Sequence, residues 1–384
     1  MLKLSYNCYI RGNLKCSQEL MRYSQFAMSS SRDKFRGCLV GAIIGDCLGA
    51  PFEGSSRGCI SREKIETLIG LQSKKLAKAS NGSFEYTDDS AMARSICASL
   101  LAKNCFDGSD LASRFSTEYI QRSDRGYGSG VITIFDKWKE NGTDSDPFLA
   151  AKEQFGGSGS YGNGAAMRVA PVALFEKEEE DVIKVAEETS LLTHSNKYGV
   201  NGGILQAVAV HKVLFAPSEI NKTDLINSLK EAMQKIEVVK SKQNFRDDQV
   251  SLSADQDSTV RFSRRSSFSF TKQLERMTQL IDSGEESNDV NRIVECLGND
   301  ISAQEAVPAA IFSFIKNSNT NFEEALIYAY TLGGDTDTIG TMTGALAGAH
   351  FGFSSIPDQW KRVCEGVDDA LCYADQFYNR MFPE

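Results

Sequence analysis

The sequence predicts a single, mostly α-helical domain that extends from about residue 35 to residue 384. Apolar residues recur at helical spacing through most of the chain, and no run of alternating apolar and polar residues indicates a sheet. The composition, 41% hydrophobic and 24% charged, is that of an ordinary globular protein. A length of 384 residues also allows two domains. No apolar run approaches the roughly 20 residues that a membrane-spanning helix needs.

Charge and cysteine content narrow the class of protein. The net charge is −9, from 42 basic and 51 acidic residues, which argues against a protein that binds nucleic acid through a basic face. The ten cysteines form no CxxC pair and show no zinc-site spacing, so we expect reduced thiols in an intracellular protein. Neither nucleic acid nor a membrane is therefore expected as a direct partner.

Residues 1–34 differ from the rest of the chain. They carry six basic residues against only Glu19 and Asp33, with many serines between, which is the composition of a mitochondrial transit peptide. The alternative is a disordered tail that precedes a later start at Met21 or Met28. The mitochondrial matrix, the cytoplasm and the nucleus all stay open as locations.

Two stripes of glycine at every fourth position indicate helices that pack very closely. Glycine lowers the stability of an isolated helix, so a helical stripe of it indicates a neighbour at short distance, and we expect the two stripes to face one another. Asp46 lies within the first apolar segment, where an unpaired carboxylate would be costly, and we expect it to be hydrogen-bonded in a structural role. The stripes are Gly37, Gly41, Gly45 and Gly49 in the first segment and Gly340, Gly344 and Gly348 in the last.

A pair of adjacent aspartates, Asp88 and Asp89, follows Thr87 at the start of a strongly helical run. Either aspartate is well placed to cap that helix, and one is enough for a cap. Adjacent carboxylates repel each other, and a divalent cation is one way to relieve that repulsion.

A second acidic turn, Gly-Gly-Asp-Thr-Asp-Thr at residues 333–338, precedes a helix of small residues. Carboxylates two residues apart in a turn can point at one centre, and Mg²⁺ or Ca²⁺ prefers carboxylate, hydroxyl and carbonyl oxygens. The alternative is that Asp335 and Thr336 cap the helix while Asp337 is solvated. If the fold brings both acidic turns together, their oxygens suffice for two metals about 3.5–4 Å apart, as in binuclear hydrolases.

Two glycine-rich segments, residues 125–130 and 155–164, lead into helical runs. Backbone N–H groups of such loops can converge on a diphosphate, although each segment taken alone is more often a plain turn. Phe155 and Tyr161 border the second segment and could hold a base between them, with core packing as the alternative. His194, at a polar helix junction, could bond a phosphate or a ribose.

Residues from about 240 to 280 lose helical periodicity and gain serine, aspartate, glutamine and arginine. We expect an exposed, flexible insertion there. Helical patterns return at residues 289–296, 305–316 and 322–332, immediately before the second acidic turn.

Together these segments resemble the ADP-ribosylhydrolase (dinitrogenase-reductase-activating-glycohydrolase-related) family, and most closely its third type. The resemblance runs from about Phe35 to the C-terminus, apart from the insertion. It rests on six stretches in the expected order, GDCLGAPFEG, EYTDDSAMAR, RGYGSG, GSYGNGAAMRV, LLTHSN and GGDTDTIGTMTGALAGA.

The resemblance implies an all-α fold, a single compact orthogonal helical bundle. It implies an enzyme that removes ADP-ribose from serine and degrades poly(ADP-ribose) and O-acetyl-ADP-ribose. It also implies two Mg²⁺ ions per subunit, ADP-ribosylated proteins and poly(ADP-ribose) as partners, and a monomeric assembly. The implied metal ligands are Thr87, Asp88 and Asp89 for one ion, Asp335 and Thr338 for the other, and Asp337 for both.

The resemblance further implies which residues act on the substrate. Glu53 would lie on a mobile loop over the catalytic centre and do acid–base work, with a metal-ligating aspartate such as Asp337 as its rival. The implied contacts are Gly126, Gly128, Gly159, Ser160 and Gly162 with the diphosphate, Phe155 and Tyr161 with adenine, His194 with a phosphate or ribose, and Asn163 beside them.

Two alternatives stay open. One is an ADP-ribosyl-arginine hydrolase, although that branch tends to carry serines where this chain has Thr336 and Thr338. The other is a non-catalytic protein on the same scaffold, either crystallin-like or a binder of ADP-ribose, which would be expected to lose metal ligands.

Overall fold

The computed structural model describes residues 31–54, 58–77, 82–142, 146–217, 219–247, 268–284 and 289–383. Within these ranges the chain is mostly helical and contains no β-strand. Two isolated bridges join Phe84 to Cys364 and Gly162 to Ser302. The expectation of an all-α fold is therefore confirmed.

The helices are numbered in chain order, and α1 comprises residues 31–49. A short 3-10 turn, Ala50–Phe52, continues α1. The next helices are α2 (Arg62–Leu76), α3 (Asp88–Lys103), α4 (Gly108–Gln121), α5 (Ser129–Asn141), α6 (Leu149–Glu153), α7 (Gly164–Met167), α8 (Ala170–Phe175), α9 (Glu179–Leu191) and α10 (Lys197–Leu214). The remainder are α11 (Lys222–Asp247), α12 (Phe270–Asp282), α13 (Val290–Leu297), α14 (Ala303–Asn317), α15 (Phe322–Thr331), α16 (Thr336–Phe351), α17 (Asp358–Val363) and α18 (Val367–Met381). Helices α13, α14 and α15 confirm the three helical patterns predicted before the second acidic turn.

Two helices, α10 and α16, form the centre of the fold and are buried on almost all sides. α10 packs against α9, α14 and α16, and α16 also packs against α3, α14 and α15. A helix that is apolar all round is stable only inside a core. The second acidic turn begins α16, so it is attached to a firmly held support.

The two glycine stripes face one another, as the sequence predicted. A Cβ atom added at Gly45 would lie under 3.0 Å from the carbonyl oxygen of Gly340, and one added at Gly344 equally close to that of Gly41. Real Cβ atoms essentially never approach so closely, so only glycine permits this contact between α1 and α16. The hydroxyl of Tyr330 adds a 2.9 Å hydrogen bond to the Gly45 carbonyl. The contact brings the end of α1 next to the start of α16.

The first helix corrects two expectations. Ser31–Phe52 is long and apolar enough to cross a membrane by length and composition, whereas the sequence had shown no such run. However, 83% of its apolar window is buried inside the protein, which is the packing of a core helix. The predicted N-terminal extension also ends earlier than residue 34, because Arg32 already lies in α1 and donates a 2.7 Å hydrogen bond to Asn379. Residues 1–30 lie outside the described residues.

The prediction of a flexible insertion over about residues 240–280 is wrong in part. α11 continues to Asp247, and α12 occupies a stretch that had been expected to be irregular. α12 buries Phe270, Leu274 and Met277, which recur at helical spacing. Polar residues upstream obscured this short pattern. Residues 248–267 of the insertion lie outside the described residues.

Candidate active site

The first acidic turn lies at the N-terminus of α3. Thr87 caps this helix, because its side-chain oxygen accepts a 3.3 Å hydrogen bond from the N–H of Asp89. The expectation that Asp88 or Asp89 would be the cap is wrong, since both residues lie inside the first helical turn. With the cap supplied by Thr87, neither carboxylate is needed to satisfy the end of its own helix.

Asp46 of α1 supports the same helix end. Its carboxylate accepts hydrogen bonds from the backbone N–H groups of Thr87, at 3.0 Å, and of Ser90, at 3.1 Å. Asp46 is fully buried, and burial raises its pKa to about 6 although these hydrogen bonds oppose the change. The structural role expected for Asp46 is confirmed, since it holds the first acidic turn in place.

The second acidic turn begins α16. Gly333 and Gly334 have positive φ angles of 67° and 71°, a backbone region that favours glycine. Asp335 takes the N-cap position but makes no side-chain cap hydrogen bond, so the alternative of a plain cap is wrong for this residue. Its carboxylate instead accepts a 2.5 Å hydrogen bond from the side-chain amide of Asn163. The carboxylate of Asp335 is therefore oriented by a neighbour rather than by its own helix.

The fold brings the two acidic turns together, as predicted. Carboxylate oxygens of Glu53, Asp335 and Asp337 lie within 4.8 Å of one another. Asp89 joins this acidic cluster, because after burial its charge is the largest influence on the pKa of Asp337. The cluster draws on α3, α16 and the turn after α1, so only the folded chain assembles it.

The acidic cluster fits a hard divalent cation. One oxygen of Asp89, Oδ1, is buried and has no hydrogen-bond partner among the described residues. Asp89 is only 2% exposed, and a buried carboxylate oxygen without a partner is costly unless a proton or a cation satisfies it. Carboxylates and a hydroxyl, without sulfur or imidazole, are the ligands that Mg²⁺ and Ca²⁺ prefer.

The charges of the cluster act strongly on one another. Burial, followed by the charges of neighbouring carboxylates, raises the pKa of Asp88 to about 7. The same two causes raise the pKa of Asp89 and of Asp337 well above the usual range of a carboxyl group. Without a cation the folded site therefore favours protonated carboxyls, and a bound cation would reverse this preference.

Glu53 follows directly after the turn that ends α1. This point is anchored by Phe52, which is buried and stacks on Tyr330 with ring centroids 5.9 Å apart. The N–H of Glu53 also donates to the Ala50 carbonyl at 3.2 Å. The Glu53 side chain is exposed, and partial burial of its carboxyl together with the charge of Asp335 raises its pKa. A raised pKa suits a group that exchanges protons with a substrate. Movement of its loop stays a prediction.

The first glycine-rich loop borders the acidic cluster. Gly126 has a positive φ of 85°, and a Cβ atom there would lie 3.9 Å from an oxygen of Asp88. Gly128 occupies the N-cap position of α5 and offers no side chain, so the first N–H groups of that helix lack a side-chain cap. Arg125 anchors the loop through two hydrogen bonds to Glu365, at 2.6 and 2.8 Å. This arrangement suits an anion at the start of α5.

The second glycine-rich loop is tied to the acidic cluster through Asn163. Phe155 has a left-handed φ of 51°, which is uncommon outside glycine, and its side chain is 64% exposed. Tyr161 is 39% exposed. Gly159 is buried, and a Cβ atom there would collide with the hydroxyl oxygen of Ser195. Two exposed rings on a loop held in this way are available to a flat ligand, and the base sandwich stays a prediction.

His194 lies beside the same loop. Cβ atoms added at Gly162 and Gly164 would lie 3.7 and 3.4 Å from its Nε2 atom. Ser160 tightens the loop here, because its hydroxyl oxygen accepts the Gly162 N–H at 3.2 Å. Burial, with the charge of Arg168 as a second cause, lowers the pKa of His194 to about 3. The histidine is therefore neutral at physiological pH.

Three residues that the sequence did not single out also support the site. The guanidinium of Arg168 is buried and donates to the hydroxyl of Thr193. The backbone carbonyl of Asn299 accepts the Asp335 N–H at 2.9 Å. Both contacts join separate segments, and no local pattern signals such contacts. The one available signal was the presence of Arg168 and Thr193 inside stretches that carry the family resemblance.

Comparison with known proteins identifies the class. A family model described as ADP-ribosylglycohydrolase matches residues 27–384. The protein is thus a glycohydrolase. More particularly, the chain belongs to the ADP-ribosylglycohydrolase family, which is metal-dependent, as its motifs had indicated.

Similarity to individual proteins agrees with this assignment. The chain is 38% identical to ADP-ribosylhydrolase ARH3 of Mus musculus over 368 residues, which cover 92% of this chain and 93% of that protein. It is 25% identical to ADP-ribosylarginine hydrolase Tri1 of Pseudomonas putida (strain GB-1) over 336 residues, or 85% of this chain and 73% of that protein. A solved structure described as an ADP-ribosylglycohydrolase-related protein complex has the same fold, with a TM-score of 0.61 and 22% identity, over 91% of this chain and 99% of that one.

Proposed function

We propose that the protein is an Mg²⁺-dependent hydrolase that cleaves the O-glycosidic bond between C1″ of ADP-ribose and a serine side chain, releasing free ADP-ribose. Poly(ADP-ribose) and O-acetyl-ADP-ribose are proposed as further substrates. The observation that carries the proposal is the meeting of the two acidic turns beside an unpartnered oxygen of Asp89. The similarity to ARH3 over 92% of this chain supports ADP-ribose as the substituent that is removed.

Two Mg²⁺ ions are proposed for the acidic cluster. The ions would supply Lewis-acid charge that orients the ribose hydroxyls and lowers the pKa of water in the site. The chain contributes oxygen ligands only, which matches the preference of Mg²⁺. The proposed ligands are Thr87, Asp88 and Asp89 for one ion, Asp335 and Thr338 for the other, and Asp337 for both.

Glu53 is the proposed proton carrier. Its raised pKa moves its titration towards neutral pH, so it can accept a proton from the attacking water and return one to the departing serine oxygen. Asp337 is the rival for this role. The carboxylates around C1″ would stabilise the positive charge that develops in an oxocarbenium-like transition state.

The two glycine-rich loops and His194 are proposed to bind ADP-ribose. The uncapped start of α5, at Gly128, would receive the diphosphate together with the N–H groups of the second loop. Phe155 and Tyr161 would hold the adenine between exposed rings. His194 would donate to a phosphate or ribose oxygen.

An ADP-ribosyl-arginine hydrolase is the second candidate, because Tri1 is also similar to this chain. Thr336 cannot decide between the two, since its hydroxyl is buried and donates to the Gly49 carbonyl at 2.9 Å. Thr338 does lie beside the cluster, because its backbone N–H donates to the carboxylate of Asp337 at 2.9 Å. The preference for serine therefore rests on this one position and on the higher identity to ARH3, 38% against 25%.

The test is release of free ADP-ribose from a seryl-ADP-ribosylated peptide, with Mg²⁺ and then with EDTA. We expect turnover that requires Mg²⁺ and falls by about 10³-fold in Asp337→Ala, which is the scale for a group that acts in the transition state. Asp136→Ala removes an exposed aspartate of α5 as a matched control and should keep full activity.

Each other outcome has a defined meaning. Release from an arginyl-ADP-ribosylated peptide alone would replace serine by arginine as the substrate residue. Tight binding of ADP-ribose without release from either peptide would overturn the hydrolase proposal in favour of a binding protein.

A further inference from the structure

A buried chain of hydrogen bonds leads from Arg168 to His194. Arg168 follows α7 and is only 1% exposed. Its Nη2 atom donates to the Thr193 hydroxyl oxygen at 2.6 Å and to the Thr189 carbonyl at 3.2 Å. The same Thr193 oxygen lies 2.7 Å from Nδ1 of His194. The guanidinium is thus one hydroxyl away from the imidazole.

The position of Arg168 is costly for a residue that only packs. In the described ranges no carboxylate lies within salt-bridge distance of it, although the charge of Asp88 acts on it from farther away, and its side chain also contacts the sulfur of Met92 and the ring of Phe115. Its Nε atom has no hydrogen-bond partner among the same residues. Burial lowers the pKa of Arg168 to about 9, as expected for a cation removed from water. Such a cost inside a core points to a functional reason for the arginine.

The direction of each hydrogen bond follows from the chemistry of the groups. A guanidinium only donates, so the Thr193 oxygen accepts from Arg168. The hydroxyl hydrogen of buried Thr193 then needs an acceptor, and Nδ1 of His194 lies at hydrogen-bond distance. A ring nitrogen that accepts carries no proton. The single proton of the neutral imidazole is therefore on Nε2.

The protonated nitrogen faces the second glycine-rich loop. Gly162 and Gly164 lie on the Nε2 side of the ring, and no described residue forms a hydrogen bond with Nε2. Gly199 packs against the neighbouring Cδ2 edge of the ring, since a Cβ atom there would be 2.9 Å from Cδ2 of His194. The ring is held by its surroundings while its one N–H group is left for a ligand.

We propose that Arg168 is a positioning residue which, acting through Thr193, fixes His194 as the tautomer with its proton on Nε2. His194 then acts only as a donor, so the ligand group that it binds is a hydrogen-bond acceptor such as a phosphate or ribose oxygen. This inference rests on the proposed function for the identity of that ligand. The tautomer itself is a property of the unliganded protein.

The first test is the ring-nitrogen NMR spectrum of the unliganded protein labelled with ¹⁵N-histidine. The chain has only three histidines, and His194→Gln identifies the signal of His194. We expect a protonated Nε2 and an unprotonated Nδ1 for this residue. His211 and His350 serve as internal controls, because their Nε2 atoms bond to backbone carbonyls at 3.0 and 2.9 Å.

Matched substitutions separate the hydrogen-bond chain from packing. Thr193→Val keeps the shape of the side chain but removes the hydroxyl, and we expect a mixture of both tautomers. Thr193→Ser keeps the hydroxyl and should restore a single tautomer. Arg168→Met should give the same mixture as Thr193→Val, and Arg168→Lys, which retains a donor, should not. Unchanged signals of His211 and His350 would show that each variant is folded.

Binding of ADP-ribose provides the second readout. Thr193→Val should weaken binding by about tenfold, the scale of one hydrogen bond to a charged group, and should raise KM more than it lowers kcat. Thr193→Ser should bind as the wild type does. A wild-type His194 protonated on Nδ1, or one unchanged tautomer in Thr193→Val and Arg168→Met, would overturn the inference. If the wild type neither binds nor hydrolyses ADP-ribose, the proposed function fails, and the tautomer still decides this inference.

Discussion

The acidic cluster and the second glycine-rich loop meet at Asn163, but they are built in opposite ways. The aspartates of the cluster are buried, with Asp89 2%, Asp335 7% and Asp337 5% exposed, and the last two lie at the start of α16, which glycine holds at short distance from α1. The loop presents Phe155 and Tyr161 to solvent, 64% and 39% exposed. From this difference we expect bond cleavage and ligand recognition to be carried by separable parts. Changes in the cluster should remove turnover, and changes in the loop should weaken binding.

The largest effect is expected from Asp89→Asn, which removes one charge from the cluster at nearly constant shape. Activity should fall by about 10³-fold, or about 4 kcal/mol in transition-state stabilisation. The free energy of unfolding in EDTA should stay equal or rise, because repulsion between buried carboxylates is relieved. Turnover and urea unfolding measure the two quantities. Loss of stability together with activity would show that Asp89 is needed for folding rather than for metal binding.

The support beneath the cluster should be the next most sensitive feature. Gly344→Ala places a Cβ atom against the backbone of Gly41, which cannot rotate away, and should lower the free energy of unfolding by about 3 kcal/mol. Gly70→Ala in α2 is the matched control, because no atom lies within 4 Å of its added Cβ. That variant should gain about 0.5–1 kcal/mol. Equal effects in urea unfolding would mean that α1 and α16 are not in close contact.

On the loop, Phe155→Ala should raise KM by about tenfold with little change in kcat, since base–aromatic stacking contributes about 1–3 kcal/mol. Its stability should be nearly unchanged because the ring is exposed. Leu71→Ala removes an apolar side chain of α2 that is also 64% exposed, and it should leave KM unaltered. Steady-state kinetics on the seryl peptide measure both variants. A fall in kcat alone for Phe155→Ala would contradict the separation of binding from chemistry.

The smallest effect concerns pH and His194. Its pKa is about 3 in the folded protein and near 6.5 when unfolded, so below pH 6.5 the unfolded state binds more protons. The wild type should therefore lose about 1 kcal/mol of stability through this residue between pH 7 and pH 5.5. His194→Gln removes that loss. As pH falls, the free energy of unfolding of the wild type should decrease relative to that of the variant. A difference that does not change with pH would contradict the lowered pKa of His194.

Local patterns in the sequence predicted much of this arrangement. Glycine at every fourth position, as at Gly41 and Gly344, predicted the close helix pair. Such a contact requires glycine at particular positions, and these can be read directly from the sequence. The two acidic turns predicted the cluster, since paired carboxylates need a partner. α12 was missed although Phe270, Leu274 and Met277 have helical spacing, because a polar and charged stretch precedes them.

Contacts across the fold were beyond sequence analysis. The predicted cap of α3 is wrong because threonine and aspartate are both common N-cap residues, and the choice is decided by Asp46 of another helix. The bond from Asn163 to Asp335 spans 172 positions, and nothing near either residue signals it. The orientation of His194 likewise depends on the buried Arg168. Such contacts follow from tertiary packing, which no local spacing encodes.

The contact between α1 and α16 also limits when the molecule can be completed during its synthesis. Thr336 of α16 bonds to the Gly49 carbonyl across 287 positions. A helix striped with glycine is weak alone, so α1 gains its stable form only after α16 has left the ribosome. Asp337 lies at the start of α16, so it can approach Asp89 only when α16 packs into the fold. We therefore expect the nascent chain to complete its first helix and its acidic cluster in one late step.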